Sequence, residues 1–161
     1  MAARKPAKTT RAKKRPASPS RAKAAPRKSA NGRSLALSDA SPSFTVGDLE
    51  KSLAWYRDVL GFAVEETWKD DAGKVMGMSL RGGNVSFMIG QDDWKKGRDR
   101  KKGEGFRIFC TTKGNVDDLA KRIEAKGGRL DQGPTDQPWG VRDSSLTDPD
   151  GFKITIAAAK R

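Results

Sequence analysis

A chain of 161 residues is long enough for one ordinary domain plus a modest appendage. It contains no histidine, which removes the commonest general base, the commonest metal ligand and every His-dependent triad; its single cysteine, Cys110, has no intrachain partner and points to a reducing compartment. The formal net charge of +13 is unevenly placed: residues 1–38 hold twelve of the 33 Lys and Arg and no acid, and the rest holds the other 21 against all 20 acidic residues.

Taken in chain order, residues 1–40 are dominated by Ala, Pro, Ser, Lys and Arg, with prolines at 6, 16, 19 and 26 and no aromatic residue. Such a segment buries too little apolar surface to offset its ordering entropy, so a disordered basic tail is expected. Its composition resembles that of linker-histone-like tails, which neutralise phosphate backbones without reading sequence. Lys13, Lys14, Arg15, Arg27 and Lys28 are the candidate contacts for DNA or another polyanion. A transit peptide is a second reading, disfavoured by the lysines and the prolines. A merely solvated tail is the third.

From Ser41 the pattern changes. Ser43-Phe44-Thr45-Val46 alternates polar and apolar, as a half-buried strand does. Asp48 can cap a helix whose Leu49, Leu53, Tyr56 and Leu60 form one apolar face, with Gly61 as its stop. Strands follow over Phe62–Trp68, Val75–Leu80 and Val85–Ile89, separated by Asp-Ala-Gly and Gly-Gly-Asn turns. The polar stretch from Asp92 to Glu104, with six cations, reads as an exposed loop that could extend the tail's electrostatic footprint.

The second half repeats the first. A strand over Phe106–Thr111 contains Cys110, read as a small core residue. Asn115 can cap a helix with Val116, Leu119, Ala120 and Ile123 on one face, ended by Gly127-Gly128. A short strand near Arg129-Leu130, a loop with Pro134 and Pro138, a strand over Val141–Thr147, the turn Asp148-Pro149-Asp150-Gly151 and a strand over Phe152–Ala157 complete it. The helix starts lie 67 residues apart and the last turns 68 apart. A period of this size means a duplicated supersecondary unit. The expected fold is α+β: a domain over 41–161 built from two βαβββ modules, about 41–91 and 104–159, whose curved open sheets form a trough.

The stretch Phe44-Thr45-Val46-Gly47-Asp48-Leu49, running on through Trp55-Tyr56-Arg57-Asp58-Val59-Leu60-Gly61-Phe62, resembles the opening unit of the vicinal-oxygen-chelate superfamily. Pro138-Trp139-Gly140-Val141-Arg142 with Asp148-Pro149-Asp150-Gly151-Phe152 resembles its closing hairpin. That group includes glyoxalase I, extradiol dioxygenases and bleomycin-resistance proteins. The resemblance implies paired βαβββ modules, a homodimer, and a ligand or metal in the trough. Metal-using members place His or Gln, Glu, His and Glu on four strands. The corresponding positions here offer Ser41, Ser86 or Met88, Arg107 and Thr155, and neither Glu65 nor Glu66 makes a site alone. No metal and no cofactor is therefore expected.

The resemblance then favours the metal-free binders. Residues out of phase with the helix-facing ones should line the trough, which are Ser43 and Thr45 on the first strand and Lys153 and Thr155 on the last; Met88 on the fourth strand, Arg107 on the fifth and the strand aromatic Phe109 are candidates beside them. Trp68, Trp94, Trp139 and Arg142 complete the candidate site, in which aromatics stack on a small amphipathic or aromatic ligand and polar groups orient it. No catalytic residue is assigned. Two alternatives stand beside this reading: a nucleic-acid-associated protein acting through its tail, with the domain as dimeric scaffold or sensor, and a superfamily enzyme (lyase- or dioxygenase-like) using Glu65, Glu66 or Asp143 as base. No apolar run or signal sequence points to a membrane. The expected location is cytoplasmic, at the nucleoid if the tail binds DNA.

Overall fold

The computed structural model describes residues 39–160, so the tail and its candidate contacts Lys13, Lys14, Arg15, Arg27 and Lys28 lie outside the described residues. Strand β1 (Ser43–Val46) buries Phe44 and Val46 and exposes Ser43 and Thr45, as its alternation requires. Asp48 then caps helix α1 (Leu49–Ala54), its carboxylate accepting the Lys51 N–H at 3.0 Å. Strands β2 (Ala63–Lys69), β3 (Val75–Gly82) and β4 (Val85–Gln91) follow. The second module runs β5 (Arg107–Thr111), α2 (Val116–Ala125), β6 (Leu130–Asp136), β7 (Val141–Thr147) and β8 (Lys153–Ala159). Asn115 caps α2, accepting from the Asp117 and Asp118 N–H groups at 2.8 and 3.2 Å.

Each module forms its own four-stranded sheet, in the orders β1-β4-β3-β2 and β5-β8-β7-β6. The helix carries the chain across one face of the sheet to its far edge, and two hairpins then bring the last strand back beside the first. Hence β1 pairs parallel with β4 and β5 with β8, while every other pair is antiparallel. The α+β class and the twofold module read from the sequence are what the structure shows.

Two elements depart from the sequence reading. The spacing predicts one regular helix from Leu49 to Leu60, but after Ala54 the chain widens into a π-helical turn, Trp55–Val59. That turn holds Tyr56 fully buried. Pro134 predicts a loop, yet it lies inside β6. An edge strand tolerates a missing N–H, and the ladder skips from Gln132↔Ser145 to Thr135↔Asp143 around it.

The helix-facing sides of both sheets meet in one core. Phe44, Tyr56, Leu80, Phe87 and Ile89 from the first module pack with Ile123, Leu146 and Ile154 from the second. Burying each of these large side chains is worth about 2 kcal/mol. The rings of Phe44 and Phe152 lie 4.6 Å apart across the seam, and Phe106 meets Phe44 edge-on at 6.1 Å.

The seam is also polar at one point, the turn after β7. The Tyr56 hydroxyl donates to Asp148 at 2.9 Å, a buried bond between modules. Asp150 accepts the Gly47 N–H at 2.7 Å and the Ser52 hydroxyl at 3.0 Å, tying the same turn to the start of α1. The sequence marks Asp148-Pro149-Asp150-Gly151 as a tight turn; the structure makes it the fastening between the halves.

Candidate functional site

Both sheets leave one face free of helices, and the sequence-predicted site residues divide between these two open faces. On the first sheet, register lines up Ser43, Met88, Ser79 and Glu66 in one rung and Thr45, Gly90, Gly77 and Trp68 in the next. Trp68 lies close over Gly77: a Cβ there would stand 3.0 Å from the indole, so only glycine leaves room for the ring. Glu65, named from sequence only as a possible base, also lies on this face. It accepts from the Arg81 guanidinium, which chiefly holds its carboxyl below the usual range, and from the Ser86 hydroxyl at 3.1 Å and the Ser79 hydroxyl at 3.3 Å, which add to it. The strand alternation would have set Glu65 and Glu66 on opposite faces, and a register shift between Val64 and Glu66 breaks that phase.

On the second sheet, Phe109, Thr155, Ser145 and Gln132 form a rung, flanked by Arg107, Lys153 and Thr147 on one side and Thr111, Ala157, Asp143 and Thr135 on the other. Phe109 is 53 % exposed, which is costly for a phenyl ring that has no partner. Beside it, Thr155 is 4 % exposed, and its hydroxyl is buried without a hydrogen-bond partner. Buried polar atoms nearly always have one. Asp143 on the neighbouring rung is buried and already accepts from the Gln137 amide at 2.8 Å and the Gln132 amide at 3.5 Å. Trp139, at 67 % exposure, projects from the turn that joins β6 to β7.

Two expected site residues are placed elsewhere. Arg142 alternates with Asp143 and so faces α2, where its guanidinium clamps both Asp117 oxygens at 2.7 Å and reaches Asp136 at 2.9 Å. It fixes the first turn of α2 to β7 and does not line an open face. Trp94 sits in the inter-module loop, with the Arg98 guanidinium 4.8 Å and the Lys102 ammonium 4.9 Å from its ring. That loop is anchored by buried Asp92, which accepts the Trp94 N–H at 2.9 Å and pairs with Lys102 at 2.7 Å and with Arg100. The two cations and this N–H hold the Asp92 carboxyl well below the ordinary range. Burial, conversely, pushes the Cys110 thiol up, in keeping with its sequence reading as a core residue.

The metal-ligand positions that the resemblance implies hold Ser41, Met88 with Ser86, Arg107 and Thr155. A guanidinium repels a divalent cation, and three hydroxyls with a thioether are poor ligands for one. Among the described residues no three His, Cys, Asp or Glu side chains gather as a metal-binding group. This donor set does not fit a divalent metal.

Comparison with known proteins agrees with the duplicated topology. The family model of the Glyoxalase/Bleomycin resistance protein/Dioxygenase superfamily matches residues 40–156. The chain belongs to that superfamily. Among solved structures, the antibiotic binding protein TnmS3 from Streptomyces sp. CB03234 is similar at 24% identity and a TM-score of 0.61, covering 79% of this chain and all of that one (100%). TioX from Micromonospora sp. ML1 is similar at 19% identity and a TM-score of 0.58, over 77% of this chain and 98% of its own. A superfamily member from Sphaerobacter thermophilus DSM 20745 reaches 25% identity and a TM-score of 0.58, over 73% of this chain and 94% of its own. A search of curated proteins finds no match. No helix among the described residues is long and apolar enough to cross a membrane.

Proposed function

We propose that this protein binds a small amphipathic or aromatic molecule, without a metal, on the open face of its second sheet, and that a second copy closes the trough. The observation that carries this reading is the rung at Phe109 and Thr155, an exposed ring beside a buried, unpartnered hydroxyl. A flat ligand stacked on Phe109 would remove the ring from water and supply the partner that the Thr155 hydroxyl lacks. Ser145 and Gln132 continue the rung as neutral hydrogen-bonding groups. One similar structure, TnmS3, is described as an antibiotic binding protein, which accords with a ligand of this class.

Titrating the full chain with a panel of planar aromatic compounds, read by quenching of tryptophan emission, tests the proposal. Saturable quenching at micromolar concentration by at least one of them is expected, and a uniformly flat response would contradict it. Sedimentation of the same samples is expected to show a dimer.

A second reading rests on the partition of charge. Twelve cations and no acid in residues 1–38 against near balance elsewhere would confine polyanion binding to the tail. Association with mixed-sequence DNA is expected to weaken steeply between 50 and 200 mM salt and to vanish when residues 1–38 are deleted. Undiminished binding by the truncated chain would refute it.

A further inference from the structure

A second concavity, of about 760 Å³, lies between the modules beside α2, reaching Thr111 at the end of β5. That volume falls within the ~300–1,000 Å³ typical of small-molecule sites. Phe62 and Phe87 from the first module and Cys110, Leu119, Ile154 and Ile156 from the second give it apolar walls, and Asn84, Thr111 and Thr112 add neutral polar groups. Its rim is charged in one sense only. Lys113, Arg122 and Lys126 line it, and no Asp or Glu does. Arg122 and Lys126 stand one turn apart on the exposed side of α2 and just beyond its end, so both heads are in water above an apolar slot. The acid that senses Lys126, Asp58, is already held by Arg57 through two hydrogen bonds of 2.6 and 2.8 Å.

The geometry points to a binding site for an anionic amphiphile with a single apolar chain, such as a fatty acid. Its tail would lie against Phe87, Leu119 and Ile156, and its carboxylate would rest between Arg122 and Lys126. An apolar slot alone would take any greasy partner. The one-signed rim selects for a negative headgroup, because a charged head paired with two exposed cations stays hydrated while the tail leaves water. This site shares no residue with the Phe109–Thr155 rung.

The test uses cis-parinaric acid, whose emission rises on entering an apolar site, with the full chain. Saturable enhancement is expected, reversed by lauric acid and not by dodecanol, which has the same tail without the charge. The double charge reversal Arg122→Glu with Lys126→Glu is expected to weaken binding about tenfold, equivalent to about 1.4 kcal/mol. Saturating laurate is also expected to slow alkylation of Cys110 in the groove, a readout independent of fluorescence. Equal displacement by dodecanol, or unchanged affinity in the double variant, would overturn the charge-selective site. Displacement by an aromatic compound that quenches tryptophan would move the ligand to the open face and also overturn it. So would the absence of binding in a dimer whose Cys110 alkylates only on dilution, since a second copy would then fill the groove.

Discussion

Replacing Asp148 by alanine is expected to destabilise the domain by about 3 kcal/mol in urea unfolding, the larger part from groups left without an acceptor. The Tyr56 hydroxyl loses its partner inside a buried seam, and the N–H groups of Asp150 and Phe152, now at 3.0 and 2.8 Å from the carboxylate, lose theirs in the turn. Tyr56→Phe removes only one bond and is expected to cost about 1 kcal/mol. Asp148→Asn keeps an acceptor for the turn and should cost less than alanine. It should also change the pH dependence. Burial pushes the Asp148 carboxyl above its ordinary value, against the hydrogen bonds it accepts. The contribution of its protonated form is therefore fully present below about pH 4 and is lost as pH rises through the raised value of the folded state. Carboxyls of Asp117 and Asp136, lowered by Arg142 and Lys160, act in the opposite sense and are lost on acidification. The difference between the wild-type and Asp148→Asn curves isolates the Asp148 part, and a flat difference would show that this carboxyl is not buried on the seam.

Gly103→Ala is expected to cost 3 kcal/mol or more, about three times the effect of Gly61→Ala. Both residues have positive φ, +69° and +77°, so both pay for a left-handed side chain. They differ in their surroundings. A Cβ on Gly103 would stand 2.2 Å from the Gly151 carbonyl oxygen, whereas one on Gly61 meets nothing within 4 Å. Backbone faces backbone at Gly103, so no side chain can turn aside, and the loop must lift from the Asp148–Gly151 turn. Lys102 next door would then be drawn off Asp92 and off the Thr45 carbonyl, at 2.7 and 3.1 Å. Equal losses for the two variants would show that the loop does not dock where the structure has it.

The two modules were legible because their signals are local. Asp48 and Asn115 cap their helices, Gly61 and Gly127 end them, and Phe44 and Val46 alternate with Ser43 and Thr45. The seam was not. Nothing in the turn Asp148-Pro149-Asp150-Gly151 announces that its carboxylates reach Tyr56 and Ser52, more than ninety residues away. The candidate site was legible in part. Strict alternation put Thr155 on the trough side, Phe109 was chosen only as an aromatic on a strand, and pairing of β5 with β8 places the two in one rung. Arg142 defeated the same reasoning, because a chemically attractive arginine was chosen without following the phase of β7, which turns it toward Asp117. Glu65 was named only as a possible base, because the register shift that sets it among Ser79, Arg81 and Ser86 is invisible in the sequence.

Ligand binding by the Thr155 hydroxyl on the open face of the second sheet is tested by Thr155→Val in one titration with two readouts. Removing a buried, unpartnered hydroxyl should raise the stability of the free protein by about 1 kcal/mol. The same change should weaken binding of whichever planar compound quenches tryptophan emission, by about fivefold or more, because the ligand loses its hydrogen bond. Stability and affinity moving in opposite directions is the predicted result. A variant that is more stable and binds equally well would contradict it.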